Sequence, residues 1–209
     1  MNFSKVNISI ILLFIFHLVG VVGLSLSFRE LFLALTPFNL LLSLGLYIWA
    51  NDDFSADFFK LCAVLFAIGY FVEVIGVNTG ILFGEYTYGE ALGFKVLNTP
   101  LMIGVNWILL SFSIFSVSNF FLKKKWPTIL LASVLMVLMD VLIEPVAISL
   151  DFWSWAAVDI PLQNYVMWFI VSLIMNAIIS FNRPKLDYRI SFGLLLSQVL
   201  FFTLLSMSL

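Results

Sequence analysis

The sequence predicts an all-α polytopic membrane protein, a bundle of about seven transmembrane helices with a cytoplasmic N-terminus. Composition is the first reason: of 209 residues, 63% are of hydrophobic types and 11% are charged. Soluble domains average about 45–50% and about 25%. The 23 Phe and 6 Trp are more than one small water-shielded core can hide. Segment length is the second reason, because seven stretches reach the ~20 mainly apolar residues that cross a bilayer. The third is charge placement. With the N-terminus inside, Lys5, Lys60, Lys123, Lys124, Lys125, Arg183, Lys185 and Arg189 are cytoplasmic, and only Arg29 and Lys95 are external. That bias follows the positive-inside rule and implies a multi-pass protein of the cell's inner (cytoplasmic) membrane, a single integral membrane domain over 1–209.

The first stretch is Val6–Ser27. Its apolar run exceeds the ~7–15 residues of a signal-peptide core and no small-x-small site follows, so it reads as a retained helix. Phe28-Arg29-Glu30 makes a tight hairpin into Leu31–Ala50, and Asn51-Asp52-Asp53 turns the chain toward Leu61–Phe83. Thr99–Leu122 follows, then Lys123-Lys124-Lys125-Trp126-Pro127, whose charge is a topology signal. The last three stretches are Thr128–Leu150, Gln163–Phe181 and Ile190–Ser208, with Asn182-Arg183-Pro184-Lys185 between the final pair. The external segments Gly84–Glu90 and Asp151–Trp155 are aromatic. They read equally as the interfacial aromatic belt and as the mouth of a lipid-accessible cavity.

Acidic residues inside the spans are the informative exceptions. An ionisable side chain at the centre of a membrane helix costs at least ~2.5–3.5 kcal/mol and normally has a task. Glu73 lies 13 residues above Lys60, and Asp140 lies 13 above Pro127. At ~1.5 Å rise per residue both stand about 20 Å up, with Glu144 one turn higher on the Asp140 face. Asn39, Asn78 and Asn106 fall in the same outer half, so four helices bring polar groups to one layer. Helix-to-helix glue is usually Ser, Thr, Asn or Gln, and no Lys or Arg stands at this depth to pair with the acids. Carboxyls gathered in low dielectric favour a retained proton, and a buried protonated acid is a proton donor. His17 reads as a hydrogen-bonded packing residue, and Asp151 and Asp159 as solvated loop residues.

A weak internal echo accompanies the layer. Pro100 and Trp107 are seven apart, as are Pro161 and Trp168. Each pair follows an aromatic-x-aromatic loop and a helix carrying an acid, the pattern of a parallel repeat.

Several classes fall away. One Cys and one His exclude a disulfide framework and a multi-ligand zinc site, and a net charge of −2 gives no nucleic-acid footprint. The last span has no lysine for a retinal. Asp140 and Glu144 are the only close acid pair within a helix, with no basic residue beside them to grip a diphosphate, so a prenyltransferase is poorly supported.

Three stretches together resemble a known family. They are Glu73-Val-Ile-Gly76-Val-Asn78-Thr79-Gly80 running into Phe83-Gly84-Glu85-Tyr86-Thr87-Tyr88; Asn98-Thr99-Pro100 with Asn106-Trp107; and Asp140-Val-Leu-Ile-Glu144-Pro145, Phe152-Trp153-Ser154-Trp155, Ile160-Pro161-Leu162-Gln163-Asn164-Tyr165 and Trp168. The chain is similar here to the polytopic carotenoid-biosynthesis family that includes the carotenoid 1',2'-hydratases and bisanhydrobacterioruberin hydratases, with a family-like core over about 69–170. The resemblance implies a hydratase that adds water to the terminal isoprenoid double bond of an acyclic carotenoid end group (lycopene or gamma-carotene type), with neither cofactor nor metal. Its partners would be the carotenoid, membrane lipid and other carotenoid-pathway enzymes.

In that chemistry a carboxylic acid protonates the alkene and water captures the tertiary carbocation, which aromatic faces stabilise. Asp140 or Glu144 is the expected donor, with its partner and Glu73 sharing protons or orienting water. Asn78, Asn98, Asn106 and Asn164 are expected to position water or the carboxyls. Tyr86, Tyr88, Trp107, Trp153, Trp155 and Trp168 are expected to line the end-group pocket. A carotenoid cyclase starting from the same protonation, and a proton-coupled transporter using the same acids, remain the alternatives.

Overall fold

Seven helices long and apolar enough to cross a membrane run through the chain, in a computed structural model that describes residues 4–26 and 28–209. They are α1 (Lys5–Ser25), α2 (Arg29–Asn51), α3 (Ala56–Thr79), α4 (Leu101–Leu122), α5 (Lys125–Ser149), α6 (Leu162–Asn182) and α7 (Tyr188–Ser208). The expected end of the first span at Ser27 lies outside the described residues. The others agree with the sequence reading to within a few residues, except α3.

Helix α3 starts at Ala56 rather than Leu61 because Ser55 caps it, accepting the Phe58 N–H at 3.2 Å. It stops at Thr79 rather than Phe83 because Gly80 takes the left-handed conformation, φ +68°, and returns its N–H to Gly76 O at 2.8 Å. Only glycine adopts that conformation without steric cost. The apolar Ile81, Leu82 and Phe83 extend the hydropathy signal past the true end.

Helices α3, α4, α5 and α6 close a four-membered ring in which each packs on the next and α6 returns to α3. Helices α1, α2 and α7 pack together, α2 and α7 also pack against α4, and α7 reaches α5. Helix α4 is therefore enclosed, and Trp107, Leu109, Leu110 and Phe112 are fully buried. Helices α4 and α6 both begin immediately after a proline with nearly the same backbone: φ −65°, ψ 136° at Pro100 and φ −61°, ψ 135° at Pro161.

Four short strands cover one end of the ring. β1 (Tyr86–Tyr88) pairs antiparallel with β4 (Trp153–Trp155), setting Tyr86 opposite Trp155 and Tyr88 opposite Trp153. β2 (Lys95–Val96) and β3 (Thr99–Pro100) form a hairpin through Leu97 and Asn98, both at positive φ. A two-residue hairpin turn demands that geometry, and Asn78 fastens it: its side chain donates to Leu97 O at 2.9 Å and accepts from Asn98 Nδ2 at 2.9 Å. The opposite end carries Lys123, Lys124 and Lys125 and the exposed pair Lys5–Asp52 at 2.6 Å.

Where β1 leaves the sheet, Gly89 lies against the Asp151 backbone. A Cβ there would stand 1.9 Å from the Asp151 carbonyl oxygen. Gly89→Ala is expected to break the β1–β4 cover and lower the yield of folded protein extracted in mild detergent. Recovery equal to the parent would contradict this close approach.

Candidate active site

The sequence places Gly69, Glu73 and Gly76 on one face of α3, at helical spacings of four and three. The two glycines are what let bulky rings descend on the acid: a Cβ at Gly69 would come within 2.5 Å of the Trp107 Cβ, and one at Gly76 within 2.9 Å of the Tyr86 hydroxyl. Glu73 is buried at 4% exposure and accepts three hydrogen bonds. Tyr86 and Tyr88 donate their hydroxyls to Oε2 at 2.6 and 2.7 Å, and Trp107 donates its indole N–H to Oε1 at 3.0 Å. Burial first, and the Glu73 charge second, hold both phenols well above their ordinary pKa, so each stays a neutral donor.

Helix α5 supplies the other two acids, Asp140 and Glu144, each 1% exposed. Glu144 Oε2 accepts the indole N–H groups of Trp153 and Trp155, both at 3.0 Å. Asn164, in the first turn of α6, donates to Asp140 Oδ2 at 2.7 Å and lies 3.5 Å from Glu144 Oε1. Asp140 Oδ1 is buried with no hydrogen-bond partner among the described residues. None of the ion pairs among the described residues involves these three acids.

Glu73, Asp140 and Glu144 line one small cavity with Tyr86, Tyr88, Trp153, Trp155, Asn164 and Trp168. Its volume is ≈ 20 Å³, room for about one water molecule or the tip of a methyl-branched chain. The lining residue Trp168 is stacked on Trp107 at 4.1 Å between ring centroids.

Four of the expected residues do not line it: Trp107 is bonded to Glu73 and stacked on Trp168 but outside the lining, and three asparagines lie elsewhere. Asn78 and Asn98 are exposed and hold the β2–β3 turn. Asn106 faces a different and larger space. Two lining residues escaped the sequence reading, Phe83 and Ile103. The signal for Ile103 was there, since it precedes Trp107 by one helical turn.

The acid cavity stands between two larger spaces. A polar cleft of ≈ 430 Å³ at the aromatic end includes Asn78, Thr79, Glu85 and Ser154, and shares Tyr86 and Trp155 with the acid cavity. An apolar chamber of ≈ 350 Å³ bounded by α1, α2, α4 and α7 shares Ile103 and Trp153 with it. Each separation is one layer of side chains.

The sequence echo has a structural counterpart. Each aromatic strand engages the acid of the helix before it, the two tyrosines on Glu73 and the two tryptophans on Glu144. The strands pair with one another, and the two tryptophans seven residues beyond the prolines stack.

If Tyr88 serves Glu73, Tyr88→Phe should cost about 1.5–3 kcal/mol of stability, the worth of a hydrogen bond to a charged group. Thermal melting of the detergent-solubilised protein measures it, and the cost should shrink in a Glu73→Gln background. An equal cost in both backgrounds would detach the phenol from the acid.

Comparison with known proteins adds the context. A curated relative, the bisanhydrobacterioruberin hydratase of Haloarcula japonica, is 27% identical over 193 residues, covering 84% of this chain. The chain spans 65% of that relative's length. No solved structure matches the chain. The profile described as "Carotenoid biosynthesis protein" matches residues 35–209, a stretch that contains every residue of the acid cavity, and the chain belongs to that family.

Proposed function

We propose that the protein is a carotenoid hydratase of the cytoplasmic membrane, adding water to the terminal isoprenoid double bond of an acyclic end group without a cofactor. The observation that carries this reading is the acid cavity, where three buried carboxyls meet inside an aromatic wall and Asp140 Oδ1 alone lacks a donor. Glu73 and Glu144 each receive three hydrogen bonds from neutral donors, an arrangement suited to carboxylate acceptors. Asp140 Oδ1 is the oxygen left to carry a hydrogen.

The steps balance. Asp140 gives its proton to the less substituted alkene carbon, the π bond breaks, and a tertiary cation forms. The Trp153, Trp155 and Trp168 faces and the neighbouring carboxylates stabilise it. Water adds to the cation, its surplus proton returns to the carboxylate set, and the sum is alkene plus water to alcohol. The two flanking spaces suit the two reactants, water from the polar cleft and a hydrocarbon end group from the chamber. Such acid catalysis contributes typically 10²–10⁴-fold.

Expression in a lycopene-producing host tests the proposal. Extracted pigment should contain a hydroxylated acyclic or monocyclic carotenoid. A new ring without a hydroxyl would make the protein a cyclase, and unchanged pigment with proton flux would make it a transporter.

A further inference from the structure

The chamber beside the acid cavity is more polar than a crevice for lipid tails requires. Its walls are mostly apolar, but α1, α2, α4 and α7 bring to it His17, Asn39, Asn106 and Gln198. Gln198 is 5% exposed, and its Oε1 has no partner among the described residues. His17 commits Nδ1 to the Leu13 carbonyl at 2.8 Å, so the other ring nitrogen is the one left for a ligand. Thr36, also on the wall, is different: its hydroxyl is spent on Phe32 O at 3.2 Å. Hydrogen-bonding groups left unpaired in an apolar space are costly.

We infer that this chamber binds an isoprenoid chain bearing a hydroxyl group, the chain against the apolar walls and the hydroxyl on the His17, Asn39, Asn106 and Gln198 set. Four features select that ligand. The volume of ≈ 350 Å³ falls in the about 300–1,000 Å³ range of small-molecule sites. The wall residues Phe16 and Phe38 are 43% and 66% exposed, which opens the chamber toward lipid and selects a membrane-dissolved molecule. No Lys, Arg, Asp or Glu lines it, so carboxylates and phosphates have no counter-charge. Amides and an imidazole offer both donors and acceptors, the combination one hydroxyl uses. The shared residues Ile103 and Trp153 identify the ligand further: if the acid cavity hydrates an end group, as proposed above, the resulting tertiary alcohol withdraws into this chamber. That last identification rests on the proposed reaction, whereas the hydroxyl site does not.

Binding distinguishes the two. The full chain in lipid nanodiscs is given a saturated C15 isoprenoid tertiary alcohol, or the hydrocarbon of the same skeleton, at equal mole fraction in the lipid. Retention is counted above empty nanodiscs. The alcohol should be retained at least about tenfold better. Gln198→Met and Asn39→Leu should each reduce that preference below about threefold while hydrocarbon retention is unchanged. Gly20→Phe, on the chamber wall with its Cβ 3.1 Å from the Phe201 ring, should reduce both probes. Gly45→Phe, with nothing within 4 Å, should reduce neither. Equal retention of the two probes by the unaltered chain overturns the inference. So does a preference that survives both polar variants, or their loss of both probes, which would make the polar set a support of the fold. Alcohol preference without any hydroxylated pigment in the host would keep the site and remove the reaction.

Discussion

Asp140→Asn is expected to reduce hydroxylated product by about 10²–10⁴-fold, the scale of a lost general acid, with the protein still inserted in the membrane. The asparagine keeps the shape of the side chain, and its carbonyl oxygen can still accept from Asn164, which stands 2.7 Å from Asp140 Oδ2. What disappears is the proposed proton donor, the acid oxygen that has no hydrogen-bond partner among the described residues. Glu144→Gln should also abolish turnover, for a separate reason. One amide oxygen can accept both indole N–H groups now at 3.0 Å, but the negative charge beside the cation is gone. Pigment extraction, normalised to membrane-inserted protein, measures both variants. Near-normal turnover in both would end the assignment of these acids to catalysis.

Glu73→Leu should have the largest effect on stability. Leucine leaves the hydroxyls of Tyr86 and Tyr88 and the indole N–H of Trp107 without the acceptor they share. Each unsatisfied buried donor costs about 1–3 kcal/mol, together about 3–9 kcal/mol. That rivals the ~5–15 kcal/mol by which folded proteins exceed their unfolded chains. Little folded protein should be extractable in mild detergent. Glu73→Gln should be far milder, since its oxygen can still serve Trp107 and the phenols can rotate to accept from the amide. The contrast between leucine and glutamine is the measurement. Equal recovery of the two variants would mean that the three donors find other partners.

The spans were legible because hydropathy is a property of the chain itself. The layer of acids was legible because fixed rise per residue converts sequence distance into depth. What depth does not convey is rotation about each helix axis. Asn78 and Asn164 both looked polar and close to the outer end, but only Asn164 turns inward to the acids, while Asn78 turns to the backbone of Leu97. Asn106 is one residue from Trp107 and so points about 100° away from it, into the chamber rather than the acid cavity. The end of α3 was missed because Ile81, Leu82 and Phe83 are apolar, and Gly80, which ends the helix, weighs little in any hydropathy sum. Gln198 was overlooked because a single amide in a greasy helix has no pattern around it.

The matched hairpins make one comparison possible that neither half allows alone. Superposing Glu73 on Glu144 and Trp107 on Trp168 by sequence offset places Gly69 against Asp140, and Ile103 against Asn164. The Asp–Asn pair in one copy is thus a Gly–Ile pair in the other. Ile103 forms part of the wall toward the chamber, and the glycine makes room for a stacked indole. Each hairpin therefore brings one glutamate to the cavity, but only one of them adds the Asp–Asn pair. If Asp140 is the proton source for an alkene held there, as proposed, the new carbon–hydrogen bond should form on one face of the alkene only.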